Sequence, residues 1–136
     1  EKDFEACTTF SAMTYNSKNG YDDHSAIVEQ YAIHTYFSYF KELELKGGVI
    51  TVDNEVKAFT IGEKLNSNTF CVHIEKADAS INGLYAAINN EFARYAATGL
   101  KYINREEDLG IEGLRKAKRS YNPIFMLEKY TAVLPF

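Results

Sequence analysis

Long apolar runs are missing from this 136-residue chain. None approaches the roughly 20 residues that a membrane-spanning helix needs. Cysteine is scarce. Cys7 and Cys71 have neither the spacing of a metal site nor the numbers of a disulfide framework, which suits a reducing compartment and leads us to expect a cytoplasmic protein. Basic charge does not dominate either. The net charge of −4 argues against a dedicated nucleic-acid binder while leaving room for a local basic patch. There is no internal repeat, no low-complexity segment and no G-x-S-x-G nucleophile motif. His24 and His34 lack the company that would make a metal constellation, so no metal is expected.

What is present is an ordinary globular balance. Hydrophobic residues make up 46% and charged residues 25%, which excludes disorder and fits one domain over residues 1–136 with a real core. Residues 1–23 form an ambiguous lead-in, and 24–136 the core of the domain. The chain opens on Glu1 rather than methionine, which fits a processed chain or a piece of a longer one.

Turn chemistry over Asn16–Asp23 predicts a loop. Ile33, Tyr36, Phe37 and Phe40 recur at helical spacing, so a helix is expected from His24 to about Lys46, stopped by Gly47-Gly48. Val49–Val52 and Val56–Gly62 read as a hairpin around Asp53–Glu55, with Gly62 marking a bulge or a close approach to the backbone. Thr69–Glu75 is a third strand, apolar on both faces, with His73 opposite Val72 and Ile74. Ile81, Leu84, Tyr85, Ile88, Phe92 and Tyr95 trace a helix, with Asp78 or Ser80 as its cap. Lys101–Asn104 is a fourth strand, Ile111–Ser120 a basic helix and Ile124–Val133 a last strand. The crossover between the third and fourth strands predicts that they run parallel. A mixed α/β sheet with helices on both faces follows.

Two charged clusters end those two strands: Glu75-Lys76-Asp78 and Arg105-Glu106-Glu107-Asp108. A carboxylate held there could serve as a base, so Glu75 and Glu106 are the candidate catalytic groups, with Arg105 as a clamp. The plainer alternative is an ion pair between Glu75 and Arg105, with Asp108 capping the next helix. His73 is a candidate proton shuttle near neutral pH, the plainer alternative being a strand histidine simply hydrogen-bonded in the core. Arg115 and Lys118 share a basic helix face, by default a solvated one and in the sharper reading a site for a phosphate-rich ligand; with them, His73, Lys76, Asn104, Asp108 and Tyr121 make up the candidate substrate-binding set. Asn82-Gly83 opens a helix and could cradle phosphate through free N–H groups.

The motifs HIEKAD (His73–Asp78), YINREEDLG (Tyr102–Gly110), EGLRKAK (Glu112–Lys118) and SYNP (Ser120–Pro123) are specific in their charges. With GGVITVDNEVKAFTIGEKL (Gly47–Leu65), they resemble the phosphatidylglycerol lysyltransferase C-terminal-like family of bacterial proteins. The likeness runs from about Gly47 to Val133. It implies a GNAT-like fold: a mixed, mostly antiparallel sheet with a parallel pair at the cleft. It also implies a preceding GNAT-like domain in the full-length chain, this one being the second of a tandem pair. The implied activity is transfer of an acyl or aminoacyl group to an amine or hydroxyl acceptor. The donor would be acyl-coenzyme A or aminoacyl-tRNA, and nucleic acid would be a partner only in the second case. Acyl-coenzyme-A users of this fold carry Q/R-x-x-G-x-G/A where this chain has Ser80-Ile81-Asn82-Gly83-Leu84-Tyr85. Tyr85 stands in place of a small residue, which leads us to expect weak acetyl-coenzyme A binding or none. The alternative is a non-catalytic ligand-binding or regulatory domain.

Overall fold

Alternating apolar residues on either side of a two-residue turn fold into the hairpin that starts the sheet. In the computed structural model, which describes residues 2–16 and 23–134, the elements run α1 (Phe4–Asn16), α2 (Asp23–Ser38), β1 (Lys46–Val52), β2 (Glu55–Lys64), β3 (Thr69–Ala77), α3 (Leu84–Ala96), β4 (Tyr102–Asn104) and α4 (Glu112–Arg119). The ambiguous lead-in thus contains a helix. The loop predicted at Asn16–Asp23 lies, apart from its two ends, outside the described residues. Asp53 and Asn54 take φ of 52° and 64°, the backbone of a two-residue hairpin turn, which Asn and Asp accept more readily than most side chains. The sheet order is β1-β2-β3-β4. The first two pairings are antiparallel and β3–β4 is parallel, as the crossover requires.

One face of the sheet is covered by α1 and α2. Cys7 and Phe10 of α1 and Ile33 of α2 pack on Phe59, Ile61 and Ile74. Phe4 stacks on Phe37, with ring centroids 4.4 Å apart, and ties the two helices together. The other face is covered by α3, whose buried residues Leu84, Ile88, Phe92 and Ala96 recur every fourth position. They meet Ala58, Ala77, Phe70 and Val72. Tyr85 and Tyr95, expected on this stripe, stay outside it and are exposed.

Three expectations are corrected. The helix α2 ends at Ser38 rather than near Lys46, and Gly47-Gly48 lies inside β1. They sit close to the packed rings: a Cβ on Gly48 would lie 3.3 Å from the Phe92 ring, and one on Gly47 3.4 Å from Phe40. Neither Asp78 nor Ser80 caps α3. Asp78 Oδ1 instead accepts hydrogen bonds from the Ser80 N–H and hydroxyl, closing a turn of its own, and the N-cap is Gly83. Residues 124–133 form no strand among the described residues. A strand needs a neighbouring ladder to satisfy its backbone, and this stretch has none. It belongs to the second of two compact units, Glu1–Glu106 and Glu107–Phe136.

The sheet has one irregularity with large consequences. Ile61 pairs with Ile74 and Gly62 with Val72, so His73 is an extra residue in β3. Its insertion turns Ile74 onto the same face as His73, not the opposite one, and moves Glu75 to the α3 side. The hydroxyl of Thr60, fully buried, donates to the Ile74 carbonyl at 2.8 Å and helps hold the irregular stretch. Opposite the bulge, Gly62 leaves no room for a side chain: a Cβ would lie 2.3 Å from the Cys71 carbonyl and 2.6 Å from Phe70 Cε1. Both readings of Gly62, bulge and close approach, hold. Gly62→Ala should therefore destabilise the fold by about 2 kcal/mol, because the backbone itself must move. Chemical denaturation of the variant checks this, and an unchanged midpoint would show that the bulge is absent.

Candidate functional site

The bulge and the end of β4 together build a polar cluster. The parallel ladder joins only Thr69–Cys71 to Tyr102–Asn104. Beyond Cys71, no strand among the described residues pairs with β3 on that side, so a seam opens between the two chain segments. Asn104 Oδ1 accepts from the Glu106 N–H at 2.8 Å, and Glu106 takes φ 55°. This tight turn separates two neighbours. Arg105 is sent to the α3 face and Glu106 to the α2 face.

On the α2 face, His73 lies between two carboxylates. Its Nδ1–H donates to Glu106 Oε1 at 2.7 Å and its Nε2–H to Glu63 Oε1 at 2.8 Å. With both carboxylates ionised, the ring must donate from both nitrogens and is then an imidazolium. Tyr36 of α2 stacks over it with centroids 5.4 Å apart. Cys71 Sγ completes the group, 3.8 Å from His73 Nδ1 and 3.6 Å from Glu106 Oε1. The His73 pKa is pushed up to about 11 by hydrogen bonding to Cys71 and Glu106 and then to Glu63, against burial, which lowers it. With its proton held that firmly, His73 near neutral pH is a cation paired with two carboxylates.

On the α3 face, Arg105 Nη2 donates to Glu75 Oε1 at 2.7 Å, and Asn89 Nδ2 of α3 donates to Glu75 Oε2 at 3.0 Å. Only 9% of the Glu75 side chain is exposed, against 40% for Glu106. The predicted alternative of an ion pair between Glu75 and Arg105 is thus present. Lys76, back on the α2 face, pairs with Glu29.

The remaining predicted residues fall elsewhere. Asn82 and Gly83 stand at the start of α3, with Gly83 at φ 80° and no atom within 4 Å of where its Cβ would be. Asp108, Arg115, Lys118 and Tyr121 belong to the unit Glu107–Phe136. There Arg115 Nε donates to Asp108 Oδ2 at 2.6 Å, and Asp108 Oδ1 accepts from the Gly110 N–H. That pairing, with the Arg115 side chain first among its causes, lowers the Asp108 pKa to about 2. Asp108 thus fixes the turn before α4 without serving as its cap, which is Ile111. Sequence reasoning missed Glu63, Cys71 and Tyr36. Cys71 and His73 two apart on a strand were a readable sign. Glu63 and Tyr36 depend on register and helix placement. A cavity of about 250 Å³ lies away from this cluster, beside β1, between Phe4, Phe40, Lys46 and Tyr95.

This sheet, with a parallel pair that parts after three residues and helices on both faces, defines a GNAT-like α/β protein. The solved structure of a GNAT-family protein from Desulfovibrio desulfuricans matches 85% of this chain and 75% of its own, with TM-score 0.63 at 14% identity. Ribosomal-protein-alanine N-acetyltransferase from Brucella melitensis matches 99% and 94%, with TM-score 0.55 at 14% identity. A conserved protein from Bacteroides thetaiotaomicron is 42% identical over 92% of this chain, with TM-score 0.80. This chain spans 42% of that protein's length. No functionally curated protein matches. The model of the family "Phosphatidylglycerol lysyltransferase, C-terminal" matches residues 3–133, and the chain belongs to that family.

Two measurements test the site. The raised His73 pKa means that its stabilising contribution is complete below about pH 6.5 and is lost as the pH climbs toward 11. Denaturation of wild type and His73→Gln across that range should show a stability difference that narrows as the pH rises; a constant difference would contradict the imidazolium. Removing Arg105 leaves the poorly exposed Glu75 carboxylate without its cation, so Arg105→Ala should cost about 2–3 kcal/mol. An unchanged melting temperature would show that the pair is not structural.

Proposed function

We propose that this chain is the transferase domain of a GNAT-type acyl- or aminoacyltransferase, related to the phosphatidylglycerol lysyltransferases. The observation that carries the reading is the seam beyond Cys71. There one edge of β3 is paired by no strand among the described residues, and we place the donor along it. Glu75 lies on this open stretch. It is oriented by Arg105 and Asn89, and we assign it the role of taking the proton from the attacking amine or hydroxyl. Glu106, engaged by His73 and Cys71, belongs to the neighbouring cluster. The family match supports the transferase class. The share of the Bacteroides protein left uncovered supports a further domain, which we take to be a preceding GNAT-like one.

Tyr85, exposed in the first turn of α3, disfavours coenzyme A at the Asn82-Gly83 turn and makes an aminoacyl donor the better fit. A second reading, a non-catalytic ligand-binding domain, is favoured by one fact. Both candidate bases already accept hydrogen bonds from the protein.

The full-length protein carrying this chain should be incubated with lysyl-tRNA or acetyl-coenzyme A as donor. Phosphatidylglycerol vesicles and free amino acids serve as acceptors, with products identified by mass spectrometry. We expect transfer from the aminoacyl donor. Glu75→Gln should lower kcat by about 10²–10⁴ with little change in KM. Transfer from neither donor by folded protein would overturn this reading in favour of the non-catalytic one.

A further inference from the structure

The arrangement of Cys71, His73 and Glu106 has a second meaning. Cys71 Sγ, His73 Nδ1 and Glu106 Oε1 all lie within 4.8 Å of one another. Tetrahedral zinc with sulfur, nitrogen and oxygen ligands needs ligand–ligand separations of about 3.4–3.6 Å, from bond lengths near 2.0–2.3 Å. Two of the three sides are already close to that: 3.8 Å from Sγ to Nδ1 and 3.6 Å from Sγ to Oε1. The third, 2.7 Å from Nδ1 to Oε1, is a hydrogen bond whose proton an ion would replace, and it would have to lengthen.

The fourth member of the group argues for a ligand more directly. A metal-binding histidine characteristically donates its other ring N–H to a carboxylate, which fixes the ring and raises its donor strength. Glu63 stands in that position, 2.8 Å from Nε2, while Tyr36 covers the ring. The bulge contributes as well, since it holds His73 on the side of the sheet that Glu106 reaches. We propose that Cys71, His73 and Glu106 form a three-ligand site for a zinc-class divalent cation, with Glu63 as the carboxylate behind the histidine.

The mixed sulfur, nitrogen and oxygen donor set suits zinc and disfavours magnesium or calcium, which take oxygen. On binding, the ion displaces the Nδ1 proton and the thiol proton. One thiolate and one carboxylate then offset its two charges. Three protein ligands leave a fourth position for water or a substrate oxygen, beside the seam. The inference does not depend on the transferase reading, because binding is read with no donor present.

The test is isothermal titration of chelator-treated protein with zinc chloride, and absorption spectroscopy with cobalt(II). We expect one ion per chain and a thiolate-to-cobalt charge-transfer band in the near ultraviolet. Glu106→Gln should weaken zinc binding at least tenfold. Glu63→Gln should weaken it by about 10–100-fold and keep the band. Cys71→Ser should abolish the band, and Cys7→Ser, on the buried α1 residue, should leave it intact. If Cys71→Ser does not fold, the other pair of spectra decides. A band in both wild type and Cys7→Ser assigns the thiolate to Cys71. Loss of the band in Cys7→Ser, its absence from wild type, or no saturable zinc uptake would overturn the proposal.

Discussion

One extra residue in β3 governs how the polar side chains of this domain are sorted over the two faces of the sheet. A strand alternates its side chains, so its residues ordinarily have no choice of face. Inserting His73 without a partner across the ladder breaks that alternation once. Before the break, Phe70 and Val72 point to α3; after it, Glu75 and Ala77 do. At the break, His73 and Ile74 share the side of α2, and Ile74 joins the aromatic core there. Without the bulge, Glu75 would face α2 and could not reach Asn89. The polar groups would then be sorted differently over the two faces.

The bulge is held by what lies around it. Gly62 admits the Cys71 carbonyl where a side chain would collide with it. Thr60 uses its hydroxyl on the Ile74 carbonyl, so a buried polar group is satisfied where the ladder is irregular. The carboxylates of Glu63 and Glu106 then grip the displaced imidazolium from both sides. A cation paired in this way stabilises the bulge from outside the sheet. The sharp turn after β4 is part of the same arrangement, because it sends Glu106 and Arg105 to opposite faces. Two sequence neighbours therefore serve two ion pairs that do not share a side of the sheet.

This layout separates two polar clusters along one seam. The α3 side has the Glu75–Arg105 pair, low in exposure and braced by Asn89, so its geometry is fixed. The α2 side has a softer donor set, in which a thiol and an imidazole meet a half-exposed carboxylate. The parallel ladder closes after Cys71, so both lie beside the unpaired stretch of β3. Fold relatives with only 14% identity share the architecture, and that likeness extends to the fold alone.

By itself the sequence determined the class and most of the elements. The hairpin turn at Asp53-Asn54, the helical stripe of Ile33, Tyr36, Phe37 and Phe40, and the length of the α3 crossover are local properties. Each is set by side-chain period and backbone preference within a dozen or so residues. The parallel β3–β4 pair follows from the crossover, and the charged motifs were enough to indicate the family. Gly62 was legible as a special position because a glycine inside a strand usually has a steric reason. Tertiary structure decided the rest. Which residue of β3 is extra depends on the register against β2, and that register is set by packing on both faces together. For that reason Ile74 was placed on the wrong side from sequence, and Glu63 was not seen as a partner of His73. The glycines of β1 looked like a helix stop until Phe92 and Phe40 came close to them. Residues 124–133 carry a strand-like pattern, but a strand exists only where another backbone pairs with it, and no local property of a sequence supplies that partner.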